Sequence, residues 1–406
     1  MLIKNIKFLV QAGEDIPVLR KGHHMSELNV IKDAFVWVKD SKIYDYGVMA
    51  QCPDIKDNIE IIDATGRALL PAFIDSHTHA VFANFRDEEF EMKLKGMTYE
   101  EIASKGGGIL NSVDKLALLT EDELFDISKQ RIAKIIQSGT GALEIKSGYG
   151  LSVESEIKIL RVIKRLKESC PIKIKATFLG AHAIPLKYKF DRRIYINSII
   201  EEMLPIIRKE DLADFIDVFC EKNYFSVNEM EEIVLGGKRI GLQAKLHVNQ
   251  FNALGGIAKA VRMDALSVDH LEELTEQDIL ALKSGNTMPV LLPGCSHYLG
   301  IPYGNARKII ESGLPLALAS DYNPGSSPNY DLFQIFSLAC IKMKMLPNEA
   351  INALTINAAY AMNISDTHGR IRKGVMTPLI LTKKIPSLTY LPYAFGERHV
   401  ERILNI

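Results

Sequence analysis

Residues 61–82 read IIDATGRALLPAFIDSHTHAVF. A turn at Thr65 and Gly66 leads into a nearly unbroken apolar run, which stops abruptly in a polar cluster at Asp75, Ser76, His77 and His79. A strand buried on both faces has this composition, because neither face meets water. The same grammar of apolar run and polar ending recurs in TGALEIKSGYG (140–150), IKIKATFLGAHAIP (172–185), ADFIDVFCEKNYF (213–225), LQAKLHVNQF (242–251), DALSVDHLEEL (264–274), TMPVLLPGCSHY (287–298) and LPLALASDYNPGSS (314–327). Between the runs lie segments such as TEDELFDISKQRIAKIIQS (120–138) and VESEIKILRVIKRLKESC (153–170), whose apolar residues fall three and four apart, the spacing of one helix face. Strand alternating with helix eight times predicts a closed (β/α)8 barrel of the TIM type, with a doubly wound open sheet as the alternative. Polar residues gather consistently at strand C-terminal ends, which favours the barrel.

Outside this pattern the two ends alternate like half-buried strands. AFVWVKDSKIYDYG (34–47) reads as an antiparallel hairpin, and TPLILTKK (377–384) and HVERILNI (399–406) as short strands. The expectation is a small discontinuous β-sandwich domain built from residues 1–66 and 367–406, with the barrel over residues 67–366.

Composition narrows the function. With 49 Lys and Arg against 50 Asp and Glu the formal net charge is -1, so there is no electrostatic reason to expect nucleic acid or an anionic membrane as partner. Cys52, Cys170, Cys220, Cys295 and Cys340 are scattered, without the close pairs of a zinc knuckle or redox motif, and read as reduced thiols. The start MLIKNIKFLVQAGEDIP lacks the three regions of a secretory signal, and no stretch approaches the length of a membrane span. A cytoplasmic protein acting on a small molecule is expected.

The chemistry concentrates at strand ends. His77 and His79 are two apart, so both imidazoles point to one side of the first strand. His247 ends the fifth strand and Asp321 the eighth. Three imidazoles with one carboxylate suit Zn²⁺ or iron, with water as the reacting group. A core histidine at 247 or a helix cap at 321 would explain either residue alone; the joint placement favours a metal site. His182 and His270 end the third and sixth strands and face the same mouth, where they can polarise a carbonyl or orient water; a structural role for His270 stays open. Lys146, at the end of the second strand, reads as structural or substrate-side.

Taken together, PAFIDSHTHAVFANFR (71–86), ALEIKSGYGL (142–151), TFLGAHAIP (177–185), LHVNQF (246–251), SVDHLEEL (267–274) and ALASDYNPGSS (317–327) resemble the successive active-site segments of the imidazolonepropionase family, within the amidohydrolase superfamily. The resemblance spans almost the whole chain. It implies hydrolysis of 4-imidazolone-5-propanoate to N-formimidoyl-L-glutamate with one divalent metal per chain, Zn²⁺ or alternatively Fe²⁺ or Fe³⁺, and a homodimer. By the same resemblance the metal ligands are His77, His79, His247 and Asp321, and the substrate contacts are Arg86, Tyr149, His182, Gln250, Asn323, Gly325 and Ser326. Asp321 then serves as proton shuttle, His270 helps orient the water and His182 stabilises the oxyanion. A guanidinium at Arg86 suits the substrate's propionate, since it can take a carboxylate bidentately.

Two departures stand out. Position 250 is Gln where some relatives carry an acid, which makes polar contact the safer role there. RKGVMTPLILTKK (372–384) lacks the alanine-aspartate pair common in the returning strand of amidohydrolases. The rival readings are a hydrolase of another cyclic amide or heteroaromatic amine, and a scaffold of the same fold that has lost its metal.

Overall fold

The computed structural model describes residues 1–55, 59–97, 101 and 107–404, which leaves the last two residues of the expected tail strand outside the description. The strands are β1 (Leu2–Val10), β2 (Val30–Lys39), β3 (Lys42–Val48), β4 (Ile61–Asp63), β5 (Arg67–Pro71), β6 (Phe73–Asp75), β7 (Thr140–Lys146), β8 (Lys173–Ala181), β9 (Phe215–Cys220), β10 (Gln243–Val248), β11 (Ser267–His270), β12 (Met288–Leu291), β13 (Ala317–Leu318), β14 (Leu379–Lys384) and β15 (Val400–Leu404).

Strands β6 to β13 form one parallel eight-stranded sheet in sequence order. The chain closes it just past the ends of the first and last strands. Thr78 bridges Tyr322 in parallel, the Asp321 N–H donates to the His77 carbonyl at 3.0 Å, and the His79 N–H donates to the Tyr322 carbonyl at 2.8 Å. Below them the Asp75 carboxylate accepts from the Ser320 N–H at 3.0 Å and the Ser320 hydroxyl at 2.5 Å. Closure therefore brings the His-x-His segment and Asp321 together.

The connecting helices form as their patterns predict. Glu121–Gln137 starts at a capping box between Thr120 and Glu123, which satisfies otherwise orphaned N–H groups, and buries Leu124, Ile132, Ile135 and Ile136 against the barrel. Outward-pointing strand residues such as Leu143, Ile145 and Leu246 meet these helices. The inward-pointing residues differ. Glu144 and Lys146 on β7, Asp217 on β9, Lys245 on β10 and Asp269 on β11 lie at 0 or 1% exposure, so the barrel's axis is filled by charge.

Strands from both ends make a seven-stranded mixed sheet in the order β15-β14-β5-β1-β2-β3, with β4 beside β1. The two ends meet through β5, which runs parallel to β1 and antiparallel to β14, in the register Ile380 with Leu70 and Leu381 with Leu69. By its pairing β5 belongs to this sheet, so the barrel's own strands begin at Phe73. The atypical 372–384 segment still delivers a regular strand, β14, because its Leu379–Leu381 core is intact.

Candidate metal centre and substrate cavity

Two of the three expected imidazole ligands are aimed by carboxylates. His77 Nδ1 lies 2.7 Å from Asp269 Oδ2 and His247 Nδ1 lies 2.7 Å from Asp217 Oδ2, and Asp217 Oδ1 also accepts the His247 N–H at 3.0 Å. A carboxylate can only accept here, so the proton sits on Nδ1 and Nε2 carries the lone pair, an arrangement that orients metal-binding histidines. Below these carboxylates, Lys146 Nζ bridges Asp217 at 2.9 Å and Glu144 at 2.8 Å, and stands 3.8 Å from Asp269. Lys146 is fully buried and does not line the cavity above, so of its two expected roles the structural one holds.

The donor atoms of His77, His79 and His247 lie within 4.8 Å of one another. His77 Nε2 and His79 Nε2 stand 3.5 and 3.6 Å from the same oxygen of Asp321. His77 Nε2 is buried and has no hydrogen-bond partner. A lone pair facing a carboxylate oxygen at this range is repulsive unless a cation lies between them, so the residues fit a divalent ion. Burial, reinforced by Lys146 and the neighbouring imidazoles, holds His77 well below the ordinary imidazole range, which keeps it a neutral ligand. Burial also raises the Asp321 carboxyl to about 6, opposed chiefly by the neighbouring His270 imidazole.

Above the cluster opens a cavity of about 560 Å³, lined by every expected site residue except His77, which stands behind its wall. His182 is stacked on His79 with ring centroids 5.3 Å apart, and its Nδ1 lies 2.9 Å from the Gly148 carbonyl. That carbonyl only accepts, so Nδ1–H donates and Nε2 is left as an acceptor; burial lowers the group to about 4 and keeps it neutral. Glycine is required at 148, where φ is +108° and a Cβ would come within 3.0 Å of His182 Nδ1. The turn that presents Tyr149 is held by the buried Glu156, whose carboxylate accepts from the N–H groups of Gly148, Gly150 and Leu151 at 3.0, 2.7 and 2.9 Å.

Arg86 reaches the cavity across the backbone of Gly325, where a Cβ would stand 1.1 Å from its guanidinium. Its Nε is buried without a hydrogen-bond partner, and its nearest carboxylate, Glu89, is 3.8 Å away. Asn323 proves to be a turn builder. Its Nδ2 donates to the Asp321 carbonyl at 2.7 Å and its Oδ1 accepts from the N–H groups of Gly325 and Ser326 at 2.8 and 2.7 Å. His270 ends β11 at φ 90°, followed by Leu271 at φ 58°, a sharp reversal that aims the imidazole inward. Burial lowers its pKa, but the Glu272 carboxylate 3.5 Å away, together with Asp321 and Asp269, outweighs that and raises it above the ordinary value.

The sequence reading missed Asp217, Asp269, Glu156, Glu272 and Cys295. The signal for Asp217 was present, as the only charge inside the apolar run FIDVFC. Asp269 was masked by its neighbour His270, and Glu156 by its place in an amphipathic helix.

The model of the amidohydrolase family matches residues 68–400. The imidazolonepropionase of Flavobacterium johnsoniae is 54% identical over 403 residues, covering 99% of this chain and 98% of the relative. That of Christiangramia forsetii is 51% identical over 99% of this chain and 98% of its own length. That of Geobacillus kaustophilus is 38% identical over 94% and 91%. Among solved structures, the guanine deaminase of E. coli superposes with a TM-score of 0.72 at 13% identity, covering 99% of this chain and 96% of that one. An adenosine deaminase from Xanthomonas campestris with bound zinc gives 0.71 at 16%, covering 99% and 90%. These two likenesses establish the shared fold, while the first three place the chain more narrowly: it belongs to the amidohydrolase family and, within it, to the imidazolonepropionases.

Proposed function

We propose that the chain opens the ring of 4-imidazolone-5-propanoate to give N-formimidoyl-L-glutamate, with His77, His79, His247 and Asp321 holding one divalent metal, zinc or alternatively iron. One observation carries the reading: the carboxylate-aimed imidazoles lie at the floor of a cavity whose wall presents the Arg86 guanidinium, its Nε without a hydrogen bond and 3.8 Å from the Glu89 carboxylate. A substrate with a hydrolysable ring at one end and a carboxylate at the other suits that pairing. The full-length likeness to imidazolonepropionases supports the same substrate.

When bound, such an ion acidifies water and polarises a carbonyl. The protein's own groups do the remainder. Arg86 takes the propionate, with Tyr149 and the Gly325–Ser326 turn closing around it, and Gln250 offers a polar contact. Asp321 accepts a proton from the attacking water, whose oxygen bonds to the ring carbonyl carbon. It then returns the proton to the ring nitrogen as the C–N bond breaks. His270 orients the water. His182 is reassigned: a neutral imidazole whose N–H is spent on the Gly148 carbonyl cannot donate to an oxyanion, so it accepts an N–H of the substrate ring instead. A homodimer and a cytoplasmic location are proposed on the family resemblance. Among the described residues, no helix is long and apolar enough to cross a membrane.

The test is loss of imidazolonepropionate absorbance on adding metal-replete protein beside a chelated control, with the product identified as formiminoglutamate. Absence of turnover by protein shown to hold its metal sinks the assignment and redirects it to other cyclic amides.

A further inference from the structure

Beside the proposed metal centre lies a second set of donors that the reaction as described does not need together. His270, Glu272 and Cys295 each offer one atom within 4.8 Å of the others. The side chains of His270 and Glu272 are 3 and 2% exposed, and Cys295 is fully buried. Both His270 Nδ1 and Glu272 Oε2 are buried without a hydrogen-bond partner, and they stand 3.5 Å apart. Glu272 is not free to turn away, because the Ser296 hydroxyl donates to its other oxygen at 2.9 Å. Cys295, in the first turn of the helix Pro293–Leu299, accepts from Gln250 Nε2 at 3.5 Å. The open cavity reaches this corner, since His270 and Gln250 both line it.

We infer that His270, Glu272 and Cys295 form a second, inhibitory site for a thiophilic divalent cation such as Zn²⁺. An imidazole, a carboxylate and a thiolate, with water as fourth ligand, match zinc's preferences; the thiol gives up its proton to solvent as the Zn–S bond forms, and His270 likewise releases to solvent the proton that Glu272 favours on it. His270 binds through Nδ1 with its proton on Nε2. The cost falls on catalysis, because His270 is no longer available to orient water. Among the described residues, a third donor group, His23, His24 and Glu27, is exposed, and its Glu27 is already paired with Arg20 at 2.5 Å, so it makes a poorer site.

The inhibition rests on the proposed function, but occupancy does not. Holoenzyme carrying one zinc per chain is titrated with Co²⁺ while the near-ultraviolet thiolate-to-cobalt charge-transfer band is followed, and equilibrium dialysis with Zn²⁺ counts ions per chain. The expected result is one further ion per chain, a thiolate band that grows with it, and a fall in turnover of roughly 10- to 100-fold, the scale of losing one proton-handling group. Cys295→Ser should abolish both the band and the further ion. Glu272→Gln, which keeps the thiol and nearly the same shape, should weaken the further ion while circular dichroism stays native. Saturation at one ion per chain, or a band that survives in Cys295→Ser, overturns the inference. Failure of the proposed function shows separately, as holoenzyme that never turns over imidazolonepropionate whatever the second ion does.

Discussion

The terminal sheet and the barrel interior are both assembled from strands whose side chains alternate, yet they bury opposite kinds of residue. In the sheet, Ile3, Ile6, Leu9, Val36, Leu69, Leu379 and Leu381 pack into one apolar cluster. In the barrel, Glu144, Lys146, Asp217, Lys245 and Asp269 are buried as deeply. Burying ion pairs costs desolvation that apolar residues of like volume avoid, so the barrel's charges are not there to maximise stability. Their positions give the reason: Lys146 holds Asp217, Asp217 holds His247, and Asp269 holds His77. One region is built to cohere and the other to aim ligands.

The sharpest test of that division is at the proposed shuttle, Asp321. Asp321→Asn keeps the shape but removes the base, and turnover should fall by at least about 10³-fold, read beside the metal content so that lost chemistry is told from lost metal. Next comes the aiming chain. Asp217→Asn and Asp269→Asn should each weaken metal binding by roughly 10- to 100-fold in a competition with a chromophoric chelator, since the Nδ1–H loses its acceptor charge. Lys146→Met should lose about 3–5 kcal/mol of stability in urea as well, because it leaves buried carboxylates uncompensated. If these variants bound metal normally, the charged interior would need another explanation.

Smaller effects follow on the substrate side. Arg86→Ala should raise KM by about 10- to 100-fold with little change in kcat, the value of a charged hydrogen bond that holds substrate and transition state alike, with partial recovery in Arg86→Lys. An equal fall in kcat would instead place Arg86 in the chemistry.

Acid should also separate the regions. His182 is held neutral in the fold, at about 4, whereas in the unfolded chain it titrates near 6.5. The unfolded state therefore binds the extra proton between those values, and the stability from this group is complete above about 6.5 and lost as pH falls toward 4. Urea unfolding of the metal-free chain should show this limb, and His182→Asn should flatten it. The least effect on activity is expected from the sheet: Leu381→Ala should cost about 2–5 kcal/mol of stability while kcat stays at the parent value. A matching loss of turnover would show that the sheet helps shape the site.

Much of this was legible beforehand for a definite reason. Parallel barrel strands are covered on both faces, so they read as apolar runs, and the polar residues ending them must lie at one mouth. That is why His77, His79, His182, His247, His270 and Asp321 were recognisable as a group. The same logic hid the axis. Glu144, Lys146 and Lys245 look like ordinary polar positions in a chain, and only strand tilt and closure turn them inward to meet residues far away in sequence, as Lys146 meets Asp217. Asn323, read as a substrate contact, lines the cavity and also builds its own turn, a second use that only the fold reveals.

The sequence alone thus determined the alternation of strand and helix and the family, and it singled out the proposed ligand set, because periodicity and motif spacing are local properties of the chain. Tertiary structure decided which carboxylate holds which imidazole, that Gly325 must be bare for Arg86 to cross it, and that His270, Glu272 and Cys295 share one corner. Those facts depend on distances between segments separated by tens to hundreds of residues, which are set only when the barrel closes.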